Sequence, residues 1–135
     1  MTNLEKVDNF LNETKVFFLS TIDEDQPVTR PFNVHCIVNG KLCFMTGDKK
    51  NVYKQLMSNP KVQITALNQK TEWLRIIGTA SLYEDQRVAE ECLANSPFLR
   101  ERYAEIGMKL CLFQIESAKV EKSTWKLLET FALYE

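Results

Sequence analysis

Apolar residues recur along this chain with two different periods, and the switches between them lay out its elements. From Leu4 to Glu13, Leu4, Val7, Phe10 and Leu11 fall at helical spacing behind a Thr2 or Asn3 cap. The pattern then shortens. Lys15–Ile22 and Val28–Val38 read as strands, separated by the polar turn Asp23–Gln26 and by Pro27. Asn39-Gly40 joins the second of these to a strand over Lys41–Thr46, because Asn-Gly supplies the positive φ that both centres of a two-residue I′ turn need. The register follows: Val38 faces Lys41, Cys36 faces Cys43 and Val34 faces Met45. A helix over Lys49–Ser58 buries Val52, Tyr53, Leu56 and Met57, and Asn59-Pro60 stops it, since a residue before proline avoids the α region. Strands over Val62–Leu67 and Glu72–Tyr83 come next. In the second, Trp73, Arg75 and Ile77 share one face, and Leu74, Ile76 and Gly78 share the other. Asp85 opens a helix with Val88, Ala89, Cys92 and Leu93 inward. Ser96-Pro97 opens another, striped by Phe98, Leu99, Tyr103 and Ile106 and closed by Gly107. Leu110–Ile115 and Ala118–Trp125 are the last predicted strands. Strands joined by tight turns and interrupted by helices fit a mainly β protein: a mostly antiparallel barrel with helices packed outside.

Composition narrows the class. At 135 residues the chain supports one domain, residues 1–135, with a core of its own. Lys+Arg number 17 against 18 Asp+Glu, which argues against nucleic-acid binding through a broad basic field. No stretch approaches the ~20 apolar residues of a membrane span. The opening MTNLEKVDNFLNET lacks the basic-then-apolar layout of a signal peptide, so a cytoplasmic location is the expectation. Four cysteines without CxxC spacing and one histidine do not make a structural zinc site. Cys36 and Cys43 should face each other as a hydrogen-bonded pair, and reduced, half-buried thiols are expected there. No Ser-His-Asp, Cys-His or paired-carboxylate constellation is visible, so any catalysis would be cofactor chemistry.

Charge adds a candidate site at the end of the hairpin. Carried outward, the register brings Arg30 near Lys49, and like charges placed opposite each other on a sheet are destabilising. Asp48 is expected to cap the following helix, which leaves Lys49 and Lys50 in its first turn. The macrodipole disfavours cations there by about 0.3–1 kcal/mol each. An anion held on the free N–H groups of a helix start reverses that sign. The pattern reads as a phosphate site; solvated surface charges are the plainer alternative.

Three segments, LSTIDEDQPVTRPF, GKLCFMTGDKKNVYKQLMSNPKVQI and EWLRIIGTA, resemble in order and spacing the FMN-binding split-barrel proteins of the pyridoxamine 5′-phosphate oxidase-like family. The resemblance covers nearly the whole chain and is nearest to the small bacterial members grouped with nitroimidazole-resistance flavoproteins. It implies a six-stranded antiparallel split β-barrel, a homodimer, and FMN at two sites along the dimer interface. It assigns cofactor binding to Arg30, Pro31, Phe32, Asn33, Met45, Thr46, Lys49, Lys50, Asn51 and Trp73. Arg30, Lys49, Lys50 and Asn51 take the phosphate end, the backbone of Phe32 and Asn33 runs beside the isoalloxazine edge, and Trp73 contacts the ring system. Val52 stands where the oxidases carry lysine, which leaves that part to Lys50 or Lys54. His35 sits near the oxidases' substrate-contacting lysine, and Arg75 is a second candidate for substrate contact.

Each of these residues also has a plainer reading. Thr46 serves as an ordinary strand end, Lys50 as a solvated lysine, Trp73 as core, and His35 as a satisfied structural histidine; Arg75 pairs with Glu72 or Glu84. Trp125 and Tyr134 read as interface or core aromatics. The tail TWKLLETFALYE lacks the Arg-x-His pair with which true pyridoxamine-phosphate oxidases close their site, so that activity is not implied. The resemblance implies an FMN-dependent oxidoreductase, a reductase of a small aromatic or nitro-type substrate, with NADH or NADPH as a possible electron donor. The alternative is a non-catalytic flavin, haem or deazaflavin binder, or a stress-related protein.

Overall fold

A computed structural model describes residues 1–93 and 97–135. Its elements run α1 (Asn3–Thr14), β1 (Phe17–Asp23), β2 (Gln26–Phe32), β3 (His35–Val38), β4 (Lys41–Gly47), α2 (Asn51–Ser58), β5 (Lys61–Leu67) and β6 (Trp73–Tyr83). They continue with α3 (Gln86–Cys92), α4 (Pro97–Glu105), β7 (Leu110–Ser123) and β8 (Leu128–Ala132). The expected cap at Ser96 lies outside the described residues. No helix among those described is long and apolar enough to cross a membrane.

The strands form one antiparallel sheet in the order β2-β1-β5-β6-β7-β4-β3, with β8 paired to the free part of β7. That order has a geometric consequence. The two edge strands, β2 and β3, are consecutive in the chain and separated only by Asn33 and Val34. Three peptide steps reach at most about 11 Å, so the sheet must curl until its edges nearly meet. Phe32 bridges the gap, its ring centroid 5.9 Å from Phe17 on β1 and 5.8 Å from Phe44 on β4.

The inward face carries Phe17, Leu19, Leu42, Phe44, Ile64, Leu74, Ile76 and Phe113, sealed by Val7, Phe10 and Leu11 of α1 and by Val52 and Leu56 of α2. A second cluster lies on the other side of β4, where Cys43, Met45, Leu110 and Leu112 pack under Ala89 of α3 and the adjoining Leu93. Both faces of β4 are therefore covered, which explains its unbroken apolar run.

Eight strands stand where the resemblance implied six and the hydrophobic pattern predicted seven, and each changed boundary has a cause. The long predicted strand Val28–Val38 is two: its first half pairs with β1 and its second with β4, with the break at the barrel's split. Arg30 consequently faces Leu19 of β1 rather than an extension of the hairpin, and β3–β4 pairing ends at His35↔Phe44, short of Val34 and Met45. The two predicted final strands are one, β7. It is interrupted only by a register shift between Gly78 and Ala80 of β6, where two residues, Glu116 and Ser117, bulge opposite Thr79. A Cβ on Gly78 would sit 2.1 Å from the Ser117 carbonyl oxygen, so glycine is needed for that close approach. Beyond β7, β8 adds an edge strand. Tyr134 follows it, accepting from the Leu42 N–H at 3.0 Å and donating to the Ile115 carbonyl at 2.6 Å. Cys36 does face Cys43 across the Asn39-Gly40 turn, as the register required.

Candidate functional site

The split between β2 and β3 opens into a cleft of about 630 Å³. One wall is the chain from Val28 to Val34, the floor includes Met45 and Leu110, and the start of α2 closes one end. Leu93, Leu99 and Tyr103, from α3 and α4, form the opposite wall.

Arg30 anchors the α2 end. Strand alternation turns its side chain inward beneath α2, where Nη1 donates to Thr21 Oγ1 at 2.8 Å and to the Leu19 carbonyl at 3.3 Å. Nη2 donates to Gln55 Oε1 at 2.8 Å, and Thr21 donates to that same oxygen at 2.5 Å, closing a ring of three side chains. Every acceptor is neutral. Burial lowers the guanidinium pKa from its ordinary value, as expected for a cation withdrawn from water without a counter-charge. Lys49 and Lys50 line the same end, and Lys50 Nζ lies 5.4 Å from the Tyr103 ring centroid. No aspartate or glutamate is among the described residues lining the cleft.

The lysines reach this place by a different route from the one expected. Asp48 does not cap α2. Its carboxylate accepts the Lys109 N–H at 3.0 Å and its own N–H donates to the Lys109 carbonyl at 3.0 Å, so it extends the β4–β7 ladder instead. The helix begins later, at Asn51, with Lys50 as the N-cap residue and no side-chain capping bond. Its first N–H groups thus remain available at the cleft.

Of the expected cofactor residues, Arg30, Pro31, Phe32, Asn33, Met45, Lys49, Lys50 and Asn51 all line the cleft. Thr46 does not: alternation along β4 turns it the opposite way from Met45, and its Oγ1 is buried with no hydrogen-bond partner among the described residues. Trp73 and Arg75 lie on the outer face of the sheet. Arg75 stacks over Trp73, 4.6 Å to the ring centroid, and pairs with Glu121 at 2.8 Å rather than with Glu72 or Glu84. His35 borders a neighbouring hollow, and its Nε2 is 2.8 Å from Asp8 Oδ1. Lys54 does not line the cleft, and Val52 contributes an apolar surface where a lysine was considered. Gln55 was missed, although a signal existed: it lies four residues after Asn51 and so shares its helix face. Tyr103 and Leu99 carried no such signal, since long-range packing alone brings α4 to the cleft.

Comparison with known proteins identifies the family and the fold. The pyridoxamine 5′-phosphate oxidase family model matches residues 4–124. A NimC/NimA family protein from Clostridium acetobutylicum is 30% identical, with a TM-score of 0.88 over 96% of this chain and 92% of that one. A heme binding protein from Mycobacterium smegmatis is 12% identical, with a TM-score of 0.77 over 98% of this chain and 59% of that one. General Stress Protein 26 from Bacillus anthracis is 17% identical, with a TM-score of 0.74 over 97% and 98% of the two chains. At those identities the last two speak for the fold alone. No curated protein matches the sequence. The chain belongs to the pyridoxamine 5′-phosphate oxidase family.

Proposed function

We propose that this protein is an FMN-binding flavoprotein of the split-barrel type that works as a homodimeric oxidoreductase, reducing a small aromatic or nitro-type substrate. One observation carries the reading: a cleft at the barrel's split gathers Arg30, Lys49 and Lys50 with no carboxylate among its described lining residues. Cations brought together without compensation favour a bound anion, and a phosphate suits the uncapped start of α2. Arg30 is already held by Thr21 and Gln55, so little side-chain freedom is lost when it engages a phosphate oxygen. The backbone at Phe32 and Asn33, Met45, and the apolar wall of Leu93, Leu99 and Tyr103 would bound a flat ring system and limit water around it. Bound FMN supplies hydride and single-electron transfer, chemistry that no constellation of acid, base or nucleophile in this chain replaces.

The dimer reading rests on the opposite face of the sheet. Phe18 (48% exposed), Leu67 (59%) and Leu128 (57%) project there beside half-buried Trp73 and Ile77. A second copy covering this face would bury them, and Trp73 and Arg75 would approach a cofactor only across that interface.

FMN titration with a visible spectrum of the purified protein is the test. Flavin bands and tighter binding of FMN than of riboflavin are expected. No binding of either would overturn the proposal. Haem in the same cleft is the competing outcome. Among the described cleft-lining residues there is no histidine or cysteine to ligate its iron, and of these residues only Met45 carries sulfur. A Soret band would favour it nonetheless.

A further inference from the structure

Beside the cleft, and outside anything the cofactor reading uses, lies a pair of thiols from distant parts of the chain. Cys36 on β3 and Cys92 at the end of α3 are in direct contact, Sγ to Sγ 2.8 Å, although 56 positions separate them. Both are free and half-buried. Cys92 also borders the hollow lined by Lys15, Asn33, Val34 and His35, which gives a small reagent access to it. Cys43 completes the group but is engaged differently: it is fully buried, and its thiol is directed to the Lys41 carbonyl at 3.6 Å. Cys36 and Cys43 also face each other across the hairpin, and contact with Cys43 together with burial raises the Cys36 pKa, so Cys43 is the competing partner that the test must separate from Cys92.

We propose that Cys36 and Cys92 are a reversible oxidation site, a dithiol that a small two-electron oxidant of the hydroperoxide class converts to a disulfide fastening α3 to β3. Burial and the Cys36 contact push the Cys92 thiol up to about 12, so it is the minor thiolate form that attacks one oxygen of hydrogen peroxide, breaking the O–O bond and giving a sulfenic acid, and the released hydroxide takes up the proton that the thiol lost to become water. Cys36 then attacks the sulfenic sulfur. The S–O bond breaks, the S–S bond forms, and a second water leaves with the Cys36 proton. Two thiols lose two electrons and the peroxide gains them. A small dithiol reverses the step by exchange. Leu93, which follows Cys92, belongs to the apolar wall of the cleft, so the bridge would fix that wall to the barrel edge.

The test does not depend on flavin. The full-length protein is treated with hydrogen peroxide, and its free thiols are counted before and after, with peptide mapping of any crosslink. Expected are loss of half of the four thiols, an intact mass lower by two hydrogens, a linked pair of peptides containing Cys36 and Cys92, and full recovery with dithiothreitol. Cys36→Ser and Cys92→Ser should each abolish the crosslink, while Cys43→Ser should leave it. Amide hydrogen exchange in α3 should slow on oxidation of the unsubstituted protein, a readout that needs no variant to fold. A Cys36–Cys43 bridge, a crosslink between chains, oxidation stopping at sulfinic acid, or four thiols surviving would each overturn the proposal. Failure of FMN binding would leave it standing.

Discussion

The two walls of the cleft are built on different principles. At the α2 end, Arg30, Thr21 and Gln55 close a hydrogen-bonded ring between β1, β2 and α2, and α2 itself is sunk into the core through Val52 and Leu56. Across the cleft, α4 buries no side chain fully; Leu99 and Tyr103 cover the opening while Phe98 and Ile106 face solvent. Position is fixed where a charge must be met in a set geometry. It is loose where flat apolar surfaces need only be covered, because burial energy depends on area while charge-assisted hydrogen bonds depend on distance and angle.

Substitutions that strain this contrast should separate the walls. The largest effect is expected for Leu56→Ala, which empties the packing under α2 and should lower stability by about 2–5 kcal/mol, read by urea unfolding. A loss below the lower bound would mean that α2 is no better anchored than α4. Arg30→Ala should weaken FMN binding by about 1.5–3 kcal/mol, the range for a hydrogen bond to a charged group. Riboflavin, lacking the phosphate, should bind the variant as it binds the parent; equal losses for both ligands would point to collapse of the ring of hydrogen bonds instead. Gln55→Glu sharpens the point, because it gives Arg30 an internal carboxylate without removing a side chain. FMN affinity should fall about tenfold, ~1.4 kcal/mol, while the ligand-free protein melts no lower than the parent. Unchanged affinity would show that the charge on Arg30 is not what the ligand meets. The smallest effect is expected for Leu99→Ala on the loose wall, a change in stability below about 1 kcal/mol, since a half-buried leucine near solvent leaves little cavity.

Much of this arrangement was legible in the chain. Asn39-Gly40 dictated the β3–β4 register, and period-two alternation put Leu74 and Ile76 on one face and Trp73 and Arg75 on the other, because a strand offers each residue only two directions; which of the two faces is inward came from the packing. The misplaced details share a cause. Asp48 is a good helix cap by local rules, yet the β4–β7 ladder claims its backbone and carboxylate. Within Val28–Val38 only Pro31 and Asn33 disfavour a strand, and two such residues in an otherwise strand-like run do not mark Asn33-Val34 as the point where the chain passes from one edge of the sheet to the other. Thr46, expected at the cofactor, points away from Met45 and the cleft, as its place one residue along the strand requires.

The sequence by itself therefore determined the family, the order of elements, the cations and the strand faces, all of which depend on neighbours a few residues apart or on motif order. Tertiary structure alone decided that Arg30 meets Gln55 rather than an acid, that α4 roofs the cleft, that Trp73 is turned from its own chain's cleft, and that Cys36 touches Cys92. Those contacts join segments whose separation along the chain is set by curling the sheet until β2 and β3 nearly meet, and no local preference encodes that closure.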